Sequence, residues 1–384
     1  MTSLSLSFRE WSYPNKHRKT ECCAFGECGF LAYSRGTTVT IYSNEIGCFS
    51  PMYMWSPFEH NVTCMGWYDG SCTPSIVQPL LAIGSKTGKM AVFDVRNRNI
   101  LGYAQFKGDN LRSILWSPFY RSRFFVGSTN GNLYSLQMDD DTHDIAIRAE
   151  LNLGFQVDFI ASDPQTGTTI AAASKDGRFT IISSILTAKS TDQFQTYNLK
   201  LSNNESITTL NFFPDHPNFL IISTTQTSYL FSVNEQFTLP YIQTEGIRFI
   251  SSPSKSTNRI IIGYDDSISL WQYNDEGWTR LYLLNFVQLK GTQAEAKLYT
   301  SLDDKVIVFT ESNWLTVIEE RNNKLFVTQR IRMMPSKPLD WDFRKGSIAF
   351  ANQCGSVLVT SWTPDAIIQS KSGFGEEVSM LMLV

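Results

Sequence analysis

Four histidines, His17, His60, His143 and His216, are the first residues to test for chemistry. No His-x-x-x-His or other ligand spacing joins them, which argues against a histidine-based catalytic centre. Cys22, Cys23 and Cys28 come nearest to a metal cluster. Zinc needs four ligands within tetrahedral reach, and neighbouring residues on a strand point to opposite faces. Cys22 and Cys23 therefore read as small buried hydrophobes. Asp139-Asp140-Asp141 with Asp144 brings carboxylates together, but lacks the sixth-position glycine and terminal glutamate of a calcium loop. It reads as a solvated hairpin tip. No P-loop, nucleophile elbow or dinucleotide fingerprint occurs. The expectation is no catalytic residue, no metal site and no cofactor.

The elements around these residues follow one repeated phrase: a short apolar strand, a tight polar turn, then a second alternating strand. It begins as Phe30-Leu31-Ala32-Tyr33, Gly36 and Val39-Thr40-Ile41-Tyr42. It returns as Leu80-Leu81-Ala82-Ile83-Gly84 with Gly88, as Phe124-Phe125-Val126-Gly127 with Gly131, and as Ile170 through Ala173 with Asp176-Gly177. Later copies replace the glycine with Gln226-Thr227, Asp265-Asp266 or Ser312-Asn313, and the last uses Gly355. Ile41, Phe93, Leu136, Ile182, Phe231, Trp271, Ile318 and Val359 anchor the copies, at separations of 52, 43, 46, 49, 40, 47 and 41.

A strand precedes each hairpin, and several end in a proline turn, as at Trp116-Ser117-Pro118 and Asp163-Pro164. Proline presets the turn and cannot donate within a central strand. A period near ~40–45 residues with about four short strands per unit predicts propeller blades. One such sheet cannot bury both faces alone, whereas sheets stacked around an axis can. The predicted class is all-β, a single β-propeller with eight blades favoured and seven the alternative.

The phrases Ala82-Ile83-Gly84-Ser85-Lys86-Thr87-Gly88 with Val92-Phe93-Asp94, and Trp116-Ser117-Pro118 with Val126-Gly127-Ser128-Thr129-Asn130-Gly131, resemble WD repeats. In that resemblance His60 fills the histidine slot before an inner strand and hydrogen-bonds within its blade, while Phe93-Asp94 stands where Trp-Asp does. Most blades lack both signature pairs. Residues 20–185 also resemble the first propeller of a two-propeller WD-repeat family that captures Golgi-directed vesicles. Gly29-Phe30-Leu31-Ala32-Tyr33, the long loop 68–79 and Asp176-Gly177-Arg178-Phe179-Thr180 carry that likeness. Ser174-Lys175-Asp176-Gly177 departs from the sialidase Asp-box because its aspartate and glycine are adjacent, and an Asp-Gly hairpin turn explains the pair.

The 384 residues are read as one domain, with residues 1–10 possible closers of the last blade and 363–384 a tail or final strand. Composition is 42% hydrophobic, 13% aromatic and 18% charged, which suits buried strands joined by short loops. Thirty-three basic against 36 acidic residues, net −3, leave no nucleic-acid footprint. The sequence shows no signal-peptide pattern and no transmembrane segment, and its seven cysteines lack a disulfide spacing. The location expected is cytoplasmic.

A propeller offers rigid faces with variable loops, so the expected role is a non-catalytic scaffold or adaptor for a protein or peptide partner, with vesicle traffic implied by the second resemblance. In WD-repeat proteins the turns between second and third strands line one face. Here they bring Lys86, Lys175, Asp176, Arg178, Asp265, Asp266 and Glu311, a mixed-sign set that favours a specific protein over a uniform polyanion. Tyr68, Ile76 and Val77 belong to the opposite-face loop and either anchor a partner or cap the blade. The alternatives are a propeller enzyme with a polar channel site, or a ubiquitin-ligase substrate receptor or peptide reader.

Overall fold

The computed structural model describes residues 8–12, 21–25, 30–45, 48–68, 79–117, 119–120, 122–183, 194–213, 218–225, 228–234, 237–238, 249–251, 259–264, 267–274, 277–285, 295–298, 305–309, 314–332, 338–344, 347–352 and 356–361. Among these the ordered elements are all strands, grouped in eight four-stranded sheets. The chain divides into two compact units, residues 14–213 and residues 1–13 with 214–384.

The second of these units opens with β1 (Phe8–Ser12). The unit formed by 14–213 holds Glu21–Phe25 (β2), Phe30–Arg35 (β3), Thr38–Glu45 (β4) and Cys48–Trp55 (β5) as one sheet. Val62–Trp67 (β6), Leu80–Ser85 (β7), Lys89–Asp94 (β8) and Asn99–Gln105 (β9) form the next. Leu111–Trp116 (β10), Arg123–Ser128 (β11), Asn132–Met138 (β12) and Ile145–Asn152 (β13) form a third. Phe159–Ser162 (β14), Ile170–Ala173 (β15), Arg178–Ile182 (β16) and Thr196–Asn198 (β17) form a fourth, followed by Ile207–Phe212 (β18). Each of the four is an antiparallel meander in chain order.

Strand β7 shows why these sheets stack. All six of its residues are buried, and the period of two sends Leu80 and Ala82 into one apolar cluster and Leu81 and Ile83 into another. The first cluster joins β7 and β8 to Leu111, Phe124, Val126 and Leu136, and the second joins them to Val39 and Ile41. On β11, Phe124 and Val126 enter that first cluster, whereas Phe125 enters a third with Leu151, Val157 and Ile170. Each fully buried leucine, isoleucine or phenylalanine is worth roughly 1.5–3 kcal/mol.

Polar side chains stitch neighbouring inner strands. Trp67 Nε1 donates to Ala24 O and Trp116 Nε1 to Gly66 O, each at 2.8 Å. Thr63 Oγ1 donates to Leu111 O at 2.5 Å, and Ser113 Oγ to Val157 O at 3.0 Å. The two tryptophans each terminate an inner strand, so they do one job at equivalent positions of the repeat.

In the other unit, Phe219–Thr224 (β19), Ser228–Ser232 (β20) and Phe237–Thr238 (β21) run antiparallel. Phe249–Ser251 (β22), Arg259–Gly263 (β23), Ser267–Asn274 (β24) and Gly277–Asn285 (β25) form a sheet, as do Glu295–Leu298 (β26), Lys305–Phe309 (β27), Trp314–Arg321 (β28) and Lys324–Arg332 (β29). The last comprises Pro338–Arg344 (β30), Ser347–Asn352 (β31) and Ser356–Ser361 (β32), with β1 as its fourth strand. β1 lies antiparallel to β32 from Phe8↔Thr360 to Ser12↔Ser356, in the place that the fourth strand of a meander takes elsewhere. The expected tail or strand at 363–384 lies outside the described residues.

Candidate functional site

Three turns of the unit 14–213 are built alike: Ser85-Lys86-Thr87-Gly88, Ser128-Thr129-Asn130-Gly131 and Ser174-Lys175-Asp176-Gly177. The glycine amide donates to the serine carbonyl at 3.2, 3.4 and 3.2 Å. The glycines have φ of 76, 86 and 99°, a region that costs other residues ~1–2 kcal/mol. Each glycine carbonyl then accepts the amide that follows the outermost strand: Phe106 at 2.8 Å, Leu153 at 2.8 Å and Leu199 at 3.0 Å. In two of the turns the serine hydroxyl accepts another amide, Lys89 at 3.0 Å and Asn132 at 3.2 Å. These turns and the links to the next sheet therefore share one end of the unit, the glycine-turn end.

Lys86 and Lys175 are exposed there. Asp176 and Arg178 form a forked ion pair, with Nη2 at 2.6 Å and Nε at 2.9 Å from the same carboxylate oxygen. That guanidinium holds the Asp176 carboxyl below the usual carboxylate range. Arg178 Nη1 also donates to Gly154 O at 3.3 Å, and the guanidinium carbon lies 5.7 Å from the Phe155 ring centre. Asp265, Asp266, Glu311, Ile76 and Val77 lie outside the described residues.

Tyr68 is described, and it is buried: 8% exposed, its ring 5.6 Å from that of Trp116. It caps the apolar cluster, which removes it as an exposed anchor. His60 is exposed, whereas the resemblance to WD repeats implied a hydrogen bond inside the blade. The link it sits on buries Phe58 instead. An aspartate plays the buried role one sheet later. Tyr134 on β12 donates to Asp109 in the link before β10, and Asn132 Nδ2 donates to the same carboxylate at 3.1 Å. Burial first, and the Asp109 bond second, push the Tyr134 hydroxyl well above its ordinary pKa, so it stays a donor.

Two further features escape the sequence. Asp158, just before β14, accepts Arg112 Nε at 3.2 Å and Nη2 at 3.1 Å, Gln156 Nε2 at 2.6 Å and the Lys175 amide at 3.0 Å. It thus ties an inner strand of one sheet to a turn of the next. The second feature is a hydrogen-bonded path across three sheets. Asn130 Nδ2 donates to Gly108 O at 3.0 Å, Asn152 Nδ2 to Asn130 O at 3.3 Å and to Asn132 Oδ1 at 2.7 Å. Gly154 N donates to Asn152 Oδ1 at 3.0 Å, and Gly154 O receives Arg178. Asparagines are frequent in turns, so no one of them signals a path. Only the register of adjoining sheets brings them together.

Among the described residues no three His, Cys, Asp or Glu side chains converge as metal ligands, and no helix is long and apolar enough to cross a membrane. Cys22 and Cys23 are successive residues of β2, and Cys28 lies outside the described residues. Asp139 caps its own turn, its Oδ1 accepting the amides of Thr142 at 2.8 Å and Asp141 at 3.0 Å.

No protein-family profile matches the sequence, and neither does any curated protein. Solved structures do match. A chain of the mitotic checkpoint complex is similar at 14% identity and TM-score 0.57, over 92% of this chain and 93% of that one. Sqt1 from Saccharomyces cerevisiae is similar at 11% identity and TM-score 0.60, over 88% and 93%. The Dos1 propeller is similar at 15% identity and TM-score 0.59, over 92% and 94%. At such identities the likeness shows the fold alone: all-β, a propeller.

Proposed function

We propose that this chain is a non-catalytic scaffold that holds a protein partner at the glycine-turn end of residues 14–213. The observation that carries the reading is the path Gly108–Asn130–Asn152–Gly154–Arg178, which fixes the ends of three sheets into one surface. A surface fixed in advance loses little conformational freedom on binding, which is what a docking platform needs. Lys86, Lys175, Asp176 and Arg178 stand on this end, whereas Asp265, Asp266 and Glu311 lie outside the described residues and are proposed as partner-binding residues on the sequence pattern alone. Membership of one similar structure in the mitotic checkpoint complex fits an assembly role. Eight four-stranded sheets support eight blades. A cytoplasmic location and a place in vesicle traffic rest on the sequence resemblance.

Cross-linking with an amine-reactive reagent, followed by affinity purification and peptide mapping, tests the reading. The expected cross-links join a stoichiometric partner to Lys86 or Lys175. Absence of any stable partner, together with turnover of a small substrate, would overturn it.

A further inference from the structure

Five lysines are exposed at the glycine-turn end of residues 14–213: Lys86, Lys89, Lys107, Lys175 and Lys200. None of the five joins an ion pair among the described residues. The mixed charge legible in the sequence is sorted by pairing. Asp176 is held by Arg178, and Asp158 by Arg112. Asp109 is buried beneath Tyr134, and Glu205 accepts the Ser202 amide at 2.9 Å. Glu59 and, on the outer strand β13, Glu150 are the exposed acids left over. Neutral donors leave the charge of Asp109 and Glu205 in place. Outside the two ion pairs, five lysines therefore face the four carboxylates Asp109, Glu205, Glu59 and Glu150, a small positive excess among the described residues. The neutral asparagine path runs from the Lys107–Gly108 turn to the turn that carries Lys175.

We propose that this end binds an acidic, extended segment of a partner protein. The segment would lie over the asparagine path, with carboxylates towards Lys107 at one side and Lys175 at the other. This rests on the docking reading above and adds the chemistry of the partner. Both arginines near the path already grip aspartates as forks, which leaves lysines, flexible point charges, as the available cations. The chain's net charge of −3 gives no nucleic-acid footprint, which favours an acidic protein segment as the occupant. The opposite end of the unit carries exposed Asp139, Asp140, Asp141 and Asp144 beside exposed Arg96 and Arg98.

Fluorescence anisotropy with the full chain tests this. The probe is a labelled peptide of about twelve residues alternating glutamate and serine, ~40 Å at ~3.3 Å per residue, against ~10 Å between stacked sheets. Controls are a lysine–serine peptide and a single-stranded oligonucleotide of equal length. The acidic peptide should bind, and should weaken about tenfold when ionic strength rises from about 0.1 M to about 1 M, where the Debye length falls to ~3 Å. Combined Lys86→Glu, Lys107→Glu and Lys175→Glu should weaken it by about tenfold or more, and the matching glutamine triple by less. Arg96→Glu with Arg98→Glu, at the opposite end, should leave binding unchanged. Equal binding of the basic peptide, tighter binding of the oligonucleotide, or equal loss in the Arg96/Arg98 variant would overturn the proposal. Melting temperatures of the variants show whether each is folded, and the glutamine triple serves if the reversal triple is not. A wild-type chain that keeps its cross-linked partner but ignores the acidic peptide defeats the acidic segment alone. Loss of both defeats the docking reading as well.

Discussion

The two ends of the unit formed by residues 14–213 close the same antiparallel strands by different chemistry. At one end Gly88, Gly131 and Gly177 repeat a single backbone solution, and each passes a hydrogen bond to the link that follows. At the other end, among the described residues, the turns after Asp94, Ser117 and Asp163 carry side-chain caps. Asp94 Oδ1 accepts the Asn97 amide at 3.1 Å, Asp163 Oδ1 accepts the Gln165 amide at 2.8 Å, and Ser117 Oγ accepts the amides of Phe119 and Tyr120, each at 3.3 Å. A turn fixed by its backbone leaves its middle residues free to carry charge. A turn fixed by a side chain uses that residue up. The glycine-turn end is thus the one where surface chemistry can vary without cost to the fold.

The strictest test of that contrast is Gly88→Ala. An added Cβ at Gly88 would run into the carbonyl oxygens of Phe106 and Asp109, at a φ of 76°. Gly108 has the same φ but open space around it. Gly88→Ala should therefore cost about 3 kcal/mol or more, and Gly108→Ala about 1 kcal/mol, the backbone penalty alone. Thermal melts of both variants measure the difference. Similar melting points would mean that the repeated turn is not the constraint described above.

This contrast also explains what the sequence could reveal. The glycine-turn end was legible because an αL position admits few residues, so Gly88, Gly131 and Gly177 recur at a readable spacing. The strand rhythm around Leu80–Ile83 was legible because burial on both faces demands an unbroken apolar run. Asp158 was not, since its partners Arg112 and Lys175 are 46 and 17 residues away and meet only across adjoining sheets. For Tyr68 the sequence left anchor and cap both open, for a related reason. A tyrosine at the mouth of a polar loop reads as exposed until the Trp116 ring from the next sheet is placed against it. Charge was half legible: the residues were visible, but not which of them Asp176 and Asp158 would neutralise.

Two aspartates sharpen the comparison at intermediate scale. Asp158→Ala leaves a half-buried Arg112 and the Lys175 amide without their acceptor, at a cost of about 2 kcal/mol after allowing for the exposure of the guanidinium. Asp163→Ala removes the bonds to Gln165 N and to Thr166 Oγ1, the latter at 2.5 Å, and should cost about 1 kcal/mol. Amide hydrogen exchange locates the damage. In the first variant protection should fall at Lys175 as well as in the 156–158 link. In the second it should fall within residues 163–167 alone. Spreading from Asp163 into a neighbouring sheet would contradict the picture of locally capped turns.

The smallest effect separates the ends by salt. Asp176 and Asp139 both titrate below the usual carboxylate range, the first chiefly through Arg178, the second chiefly through the amide of Thr142. A depressed carboxyl adds stability that is present above its unfolded pKa of about 3.9 and is lost as pH falls through the lower folded value. For Asp176, whose side chain is 49% exposed, that contribution is at most about 0.5 kcal/mol. Melting alone will barely register it, but carboxyl carbon-13 titration by NMR will resolve both groups. Raising ionic strength to about 1 M should move Asp176 back towards its ordinary value, because a mobile charge is screened. Asp139 should stay where it is, because its donors are fixed backbone amides. An equal salt response at the two carboxyls would show that both ends are held by charge, and the distinction between a backbone-closed and a side-chain-capped end would lose its electrostatic consequence.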